Sequence, residues 1–167
     1  MPYLKKANFD DSDKEYLFVR DMPADENGMT NPWHGIRKKD FQQIALPAMI
    51  DWSLGKNLPD GFVPETFYFL WAEDTIVGQF RIRHHLCESL RSGAGHIGCF
   101  IARPYRGLGY GREGLRLTLN EARALIPEDE IFLRVNRDNT PSLRAMLSNG
   151  GYIHHEDEQK YYVRIRK

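Results

Sequence analysis

The chain has very little cysteine and no long apolar segment. Its 167 residues include two cysteines, Cys87 and Cys99, which are too few for a disulfide framework. No apolar stretch approaches the roughly 20 residues of a membrane-spanning helix, and the first residues lack the apolar region of a secretory signal. We therefore expect a cytoplasmic protein with reduced thiols and no membrane partner.

The chain also lacks an excess of charge of either sign. Its 23 lysines and arginines balance its 23 aspartates and glutamates, so the formal net charge is +0 at pH 7. A balanced chain has no general attraction for nucleic acid. Apolar residues make up 41% and charged residues 28%, which is typical of a globular protein. Because no repeat or linker divides the sequence, we expect residues 1–167 to form a single domain.

The most informative segment is HIGCFIARPYRGLGYGREGLRLTL, residues 96–119. Its apolar run, 97–102, predicts a buried strand, and leucines recur at helical spacing from Leu115 onward. Between them Gly107, Gly109 and Gly111 lie where the helix begins. Glycines allow the backbone to approach a ligand closely, and the free N–H groups of a helix start favour a phosphate. The segment therefore predicts a strand, an anion-binding loop and a helix.

Three phosphate-binding motifs compete for this loop. A P-loop is excluded because the loop has no Gly-Lys pair followed by serine or threonine. Gly109, Gly111 and Gly114 match the dinucleotide pattern G-x-G-x-x-G, but residues 103–106 separate them from the strand that they should follow at once. Arg106, Gly109 and Gly111 fit the third pattern, Arg-x-x-Gly-x-Gly. A glycine-rich helix start with no ligand is the structural alternative.

Hydrophobic periodicity predicts the other elements of the chain. The predicted strands are 66–72, 75–84, 97–102, 131–135, 152–155 and 161–165, and the predicted helices are 39–54, the helix that follows the glycine loop, and 141–148. Residues 15–19 fit either a strand or the end of a helix, and residues 21–33, 55–64 and 87–94 are predicted connections. This order favours one mixed sheet with helices packed on it.

Two of these segments carry more detailed expectations. In helix 39–54, Pro47 predicts a kink or a split. The expected apolar face of that helix consists of Phe41, Ile44, Ala45, Ala48, Met49 and Trp52. The aromatic residues of strand 66–72 are expected to pack in the core, with a solvent-facing half that is free to line an acceptor pocket. These residues are Phe67, Tyr68, Phe69 and Trp71.

The glycine loop and the element order together resemble the GCN5-related N-acetyltransferase (GNAT) superfamily, from Phe67 to the C-terminus. The segments GFVPETFYFLW, RIRHHL and GHIGCFIARPYRGLGYG are similar to a bacterial subgroup of predicted acetyltransferases. NTPSLRAMLSNGGY is similar to the family's Asn-x-x-Ser/Ala helix start, with Asn139 and Ser142. The resemblance implies an α/β (α+β) GNAT fold: one mixed, mostly antiparallel sheet with a splayed central strand pair and helices on both faces.

The resemblance also implies a binding site for acetyl-CoA as cosubstrate. Backbone groups of Phe100 and Ile101 are expected to face the pantetheine and the acetyl carbonyl, and Asn139 and Ser142 to contribute from the last helix. The pyrophosphate is expected at the loop residues Arg106, Gly107, Leu108, Gly109, Tyr110, Gly111 and Arg112. Arg103 is a further candidate for steering the phosphates, with solvated surface arginine as its alternative.

The sequence leaves several candidates for the acid and the base of acetyl transfer. Many family members have a tyrosine general acid on the last helix, where this chain has Met146. The expected substitutes are Tyr152, Tyr161 or Tyr162, or the thiolate leaves unassisted. For the general base, His96 has a suitable intrinsic pKa and Glu88 is the second candidate, with His84 and His85 also near. A buried, hydrogen-bonded His96 and a solvated Glu88 are the structural alternatives.

Two functions remain open at this stage. The first is an N-acetyltransferase that moves an acetyl group from acetyl-CoA to a primary amine of a small molecule, amino acid or peptide. The second is a catalytically silent acyl-CoA sensor, which Met146 favours. The histidines and cysteines fit no zinc motif, so we expect no metal. The expected partners are acetyl-CoA and a small amine, with no nucleic acid or membrane, and a homodimer is allowed.

Overall fold

The computed structural model describes all 167 residues. The strands are β1 (Tyr3–Lys6), β2 (Asp25–Glu26), β3 (Met29–Thr30), β4 (Glu65–Ala72), β5 (Thr75–Arg83), β6 (Ile97–Ile101), β7 (Glu130–Asn136), β8 (Tyr152–Glu156) and β9 (Lys160–Arg166). The α-helices are α1 (Ser12–Asp21), α2 (Lys38–Asp40), α3 (Leu46–Ser53), α4 (Glu88–Arg91), α5 (Tyr110–Leu125) and α6 (Thr140–Ser148). The element order predicted from residue 66 onward is confirmed, except that the predicted connection 87–94 contains the short helix α4.

The strands form two main hydrogen-bonded sheets that separate between β6 and β7. One sheet has the order β1-β4-β5-β6 and the other β7-β9-β8, and every pairing in them is antiparallel. Where β6 begins, the amide of His96 donates a hydrogen bond to the carbonyl of Phe132, with a distance of 2.7 Å. No ladder joins the two strands beyond this point. The predicted mixed sheet therefore exists as two halves, with β6 and β7 as the splayed pair.

Strand β4 is buried on both faces, which explains its run of aromatic residues. Phe67, Phe69 and Trp71 pack against α1, α3 and the segment between α2 and α3. Tyr68 and Leu70 point the other way and pack with α5. None of these five side chains is more than 2% exposed. The expectation of a solvent-facing aromatic half was wrong, because helices cover both sides of the strand.

The helix around Pro47 is continuous but contains a wider turn. Residues Phe41–Ala45 form a π-helical turn between α2 and α3, and Pro47 lies in the first turn of α3. A π turn accommodates proline because it relieves the contact between the ring and the carbonyl four residues earlier. The turn also shifts the phase of the helix, so Ile44 is 62% exposed instead of lying on the apolar face. Residues 15–19 belong to helix α1.

A short hairpin, β2–β3, covers part of β6. Its turn residues Asn27 and Gly28 have φ values of 55° and 80°, which suit the tight turn of a two-residue hairpin. Met29 in this hairpin packs against Phe100 of β6. Sequence patterns predicted only a loop here, because strands of two residues are too short for periodicity to detect.

Candidate active site

A cavity of about 580 Å³ fills the space where β6 and β7 separate. Strand β6, the glycine loop and residues of α5 and α6 line it. The β2–β3 hairpin and two arginines of β5, Arg81 and Arg83, also belong to the lining. Because β6 pairs only with β5, its second edge carries backbone groups that no strand partner satisfies. The splay therefore creates a deep site bordered by free peptide groups.

The glycine loop has the geometry of an anion site. Gly107 and Gly109 have φ values of 78° and 85°, in the left-handed region that favours glycine, and helix α5 begins at Tyr110. The first backbone N–H of α5 with a backbone acceptor is that of Glu113, which donates to Gly109. The preceding amides of the helix start are therefore free to donate to a ligand, and the helix dipole favours a negative one.

The loop arginines are held in different ways. Arg103 and Arg106 both donate hydrogen bonds to the carboxylate of Glu26 in the hairpin, and Arg106 also donates to the carbonyl of Ile101 at 2.8 Å. The hydrogen bond from Arg106 contributes most to holding the pKa of Glu26 below its ordinary value, and that from Arg103 adds to it. Arg112 lines the cavity and has no ion-pair partner. Arg106 thus fastens the loop to the hairpin through its side chain.

Helix α6 presents its first turn to the cavity. The Asn139 side chain caps the helix by accepting a hydrogen bond from the amide of Ser142 at 3.4 Å. Ser142, Met146 and Cys99 of β6 all line the cavity, and Met146 is only 3% exposed. Burial raises the pKa of the Cys99 thiol, so it remains protonated at neutral pH.

Comparison with known proteins identifies the family of the chain that carries this site. Residues 8–151 match a family described as Acetyltransferase (GNAT) domain. The chain belongs to the GNAT acetyltransferases. The acetyl donor of the family is acetyl-CoA, so the prediction of acetyl-CoA as cosubstrate is confirmed. A comparison with curated protein sequences found no match.

Solved structures share the fold of this acetyltransferase at low sequence identity. The ribosomal-protein-S5-alanine acetyltransferase from Vibrio fischeri is 15% identical, with a TM-score of 0.71 over 99% of this chain and 92% of that chain. The N-acetyltransferase PseH from Campylobacter jejuni, in complex with acetyl coenzyme A, is also 15% identical, with a TM-score of 0.61 over 100% and 99% of the two chains. Aminoglycoside acetyltransferase AAC(6')-Ib, in complex with coenzyme A, is 14% identical, with a TM-score of 0.65 over 100% and 95%.

The structure brings most of the predicted cosubstrate residues of this GNAT chain to one cavity. The lining includes Phe100, Ile101, Arg106, Gly107, Gly109, Gly111, Arg112, Asn139 and Ser142. Leu108 points to solvent and is 67% exposed, and the ring of Tyr110 packs edge-on against that of Tyr105 at 6.4 Å. These two residues contribute to the loop through their backbone. That acetyl-CoA contacts each of these residues stays a prediction.

The predicted catalytic candidates lie outside the cavity lining. His96 is 0% exposed; its Nε2 is 3.0 Å from Glu128 and its Nδ1 accepts a hydrogen bond from the amide of Phe132 at 2.8 Å. Burial lowers the pKa of His96, and the hydrogen bond with Glu128 opposes part of this effect. Glu88 begins the short helix α4, and the Tyr152 hydroxyl of β8 donates a hydrogen bond to Glu130 of β7. This arrangement favours the structural alternative for His96.

Several residues that line the cavity were not predicted from the sequence. They are Glu26, Met29, Arg81, Arg83, Tyr105, Arg134, Arg144 and Lys160. For Arg81 and Arg83 a signal was present, because residues two apart on a strand share a face and Arg81 lies opposite Gly98. The other expected tyrosines, Tyr161 and Tyr162, do not line the cavity.

No group of three or more His, Cys, Asp or Glu side chains is arranged to hold a metal ion. No helix combines the length and the apolar character that a membrane crossing requires.

Proposed function

We propose that this chain transfers the acetyl group of acetyl-CoA to a primary amine by direct attack. The observation that supports it is a single cavity shared by the glycine loop, the open edge of β6 and the arginine-lined space under the β2–β3 hairpin. A donor and an acceptor can meet there on one strand. Such an arrangement lowers the barrier chiefly by holding the reacting atoms together.

The residues present fit acetyl-CoA. The free amides that follow Gly109, together with Arg112, would hold its pyrophosphate. The open edge of β6 at Phe100 and Ile101 would hydrogen-bond its pantetheine arm and the carbonyl of the acetyl group. Bound there, acetyl-CoA supplies an activated acetyl thioester. Asn139 and Ser142 shape the wall that faces this arm.

The attacking nitrogen forms a bond to the acetyl carbon as the carbon–sulfur bond breaks. The amine gives up one proton in this step, and the departing sulfur takes one. No histidine lines the cavity, and its one carboxylate, Glu26, is engaged by Arg103 and Arg106. We infer that the ammonium form of the acceptor first loses a proton to water, which leaves the neutral amine that attacks. The cationic lining assists this loss, because nearby positive charges lower the pKa of an ammonium group.

Three side chains of the cavity lining can donate a proton to the departing sulfur. They are Cys99, Tyr105 and Ser142. Because a thiolate is a tolerable leaving group near neutral pH, one weak donor or a water suffices. The missing tyrosine at Met146 therefore does not rule out turnover.

The second candidate function is a silent acyl-CoA sensor, which the apolar Met146 favours. Thiol release from acetyl-CoA, measured against a panel of primary amines and confirmed by mass spectrometry of the acetylated product, tests the proposal. Amine-dependent thiol release supports the enzyme. Tight acetyl-CoA binding without amine-dependent release would support the sensor instead.

A further inference from the structure

The cavity is strongly cationic although the whole chain is neutral. Its lining contains seven cationic side chains and one carboxylate, that of Glu26. The cations are Arg81, Arg83, Arg106, Arg112, Arg134, Arg144 and Lys160. Arg106 and Arg112 belong to the glycine loop and helix α5, where phosphates of the donor are expected. Arg81, Arg83 and Arg134 lie elsewhere, on strands β5 and β7.

Arg81 is a buried charge with no direct ion pair, and the carboxylate of Glu65 acts on it only from beyond salt-bridge distance. It is 7% exposed, forms no ion pair, and its Nε has no hydrogen-bond partner. Its Nη2 donates only to the sulfur of Met29 at 3.1 Å and to the carbonyl of Thr30 at 3.2 Å. A buried ionised group without a partner is costly, and proteins usually pair it. The unpartnered Nε next to the cavity indicates that a ligand completes this site.

Two more guanidinium groups extend the same cationic region. The Nε of Arg83 lies 3.8 Å from the buried carboxylate of Glu65, and its Nη1 donates to the carbonyl of Gly95 at 3.2 Å. Arg134 of β7 lines the cavity and forms no ion pair. Glu65 is therefore the one carboxylate that acts on Arg81 and Arg83, and with Arg134 the region keeps an excess of positive charge.

These arginines are separated from the phosphate loop along β6. Arg81 is in register with Gly98, which lies three residues before Ile101, or about 10 Å along a strand. A Cβ added at Gly98 would lie 3.0 Å from the sulfur of Met29 and 3.7 Å from the Nε of Arg81. The glycine therefore allows β6 to pack closely against Met29 beside Arg81. An anion bound by Arg81 would be distinct from the pyrophosphate at Gly109.

We propose that the acceptor is a small primary amine that also carries an anionic group, a carboxylate or a phosphate, and that Arg81, Arg83 and Arg134 bind this anion. This rests on the proposed acetyl transfer. Guanidinium groups recognise both anions through paired N–H donors. The anion orients the acceptor, so that its amine reaches the acetyl group beside Phe100. The acetylated product keeps its anion, and the amine proton leaves as described above.

A binding experiment tests this proposal without turnover. The arginine Nε–H signals of 15N-labelled protein with bound CoA are recorded during titration with two matched pairs of amines. The pairs are O-phosphoethanolamine with ethanolamine, and glycine with glycinamide. The signal absent from an Arg81→Lys variant is expected to shift with the anionic member of at least one pair, and not with its partner, which lacks the anionic group. Equal responses within both pairs would overturn the proposal.

A kinetic experiment compares a variant in the site with a control variant outside it. For the preferred pair, the anionic amine is expected to have a kcat/KM at least tenfold above that of its partner. Arg134 is half-buried. Arg134→Gln should reduce the ratio of the two kcat/KM values at least tenfold by raising KM of the anionic amine, with KM of acetyl-CoA unchanged. Arg123→Gln, on the exposed face of α5, is the control and should change neither.

The outcomes separate this proposal from the proposed activity. Acetyl transfer that favours amines without an anionic group overturns the anionic acceptor and leaves the activity intact. Absence of transfer to any amine, with the Arg81 signal still shifting, overturns the activity and supports anion recognition. Comparison of the two pairs distinguishes a phosphate from a carboxylate.

Discussion

Glu26 in the β2–β3 hairpin accepts a hydrogen bond from Arg106 in the glycine loop, 80 residues later in the chain. Arg103 donates to the same carboxylate at 3.0 Å. The hairpin also carries Met29 and Thr30, which accept hydrogen bonds from Arg81. One hairpin therefore contacts both the loop expected to bind the donor and the arginine expected to bind the acceptor.

Replacing Glu26 with glutamine should strengthen binding of CoA. The change removes the one negative charge in the lining and frees Arg103 and Arg106 to interact with phosphates. We expect the Kd, measured by calorimetry, to fall several-fold at low salt and less at high salt, because salt screens the charges. Asp25→Asn is the matched control, since Asp25 lies next in the hairpin but outside the cavity lining. An unchanged Kd in Glu26→Gln contradicts this prediction.

A side chain at Gly111 should obstruct the loop without straining it. Gly111 does not have a positive φ, and an added Cβ would meet only Ile101, at 3.8 Å. Gly111→Val is therefore a cleaner test than Gly109→Val, because Gly109 has a φ of 85° and any side chain there is strained. We expect CoA affinity to fall at least tenfold with little change in melting temperature. Leu108→Val, exposed and outside the lining, should leave both unchanged.

Replacing His96 with glutamine should affect stability more than activity. The change disturbs hydrogen bonds with Glu128 and the amide of Phe132, which should cost about 1–2 kcal/mol of unfolding free energy. We expect near-normal kcat in the folded variant, because His96 does not line the cavity. His85→Gln, at an exposed position, is the control. A large loss of kcat with an unchanged melting temperature would restore His96 as the base.

The His96 variant should also change the pH dependence of stability. Because burial lowers the pKa of His96, the folded state binds fewer protons than the unfolded state below about pH 6.5. Its contribution to stability is therefore present above that pH and is lost as pH falls through the folded pKa. Urea unfolding between pH 5 and 8 should show a weaker acid-side decline in His96→Gln.

Glu15 should produce the opposite pH dependence. Burial raises the pKa of Glu15 to about 8, while hydrogen bonds from Asn8 oppose part of the increase. The folded state therefore keeps a proton that the unfolded state loses near its ordinary pKa of 4.5. Its contribution is fully present below that value and is lost as pH rises through about 8. Glu15→Gln should make unfolding free energy, measured in urea, less dependent on pH between 5 and 8. An identical dependence in both proteins would contradict the assignment.

Interactions between residues close in sequence determined several local features of this protein. Glycines at a helix start, the Asn139 cap and the alternation of strand residues act over a few neighbours, so the sequence alone predicted the loop, helix α6 and the element order. Pro47 predicted an irregular helix, but the π turn that accommodates it depends on how the helix packs.

The tertiary structure decided which of the predicted residues share a cavity. His96 was a candidate base until the fold buried it between Glu128 and Phe132. The unpaired charge of Arg81 is likewise invisible in a chain with equal numbers of acidic and basic residues. Burial and pairing depend on residues tens of positions apart. The free-energy cost of a charged side chain is small in solvent and large when the fold buries it without a partner.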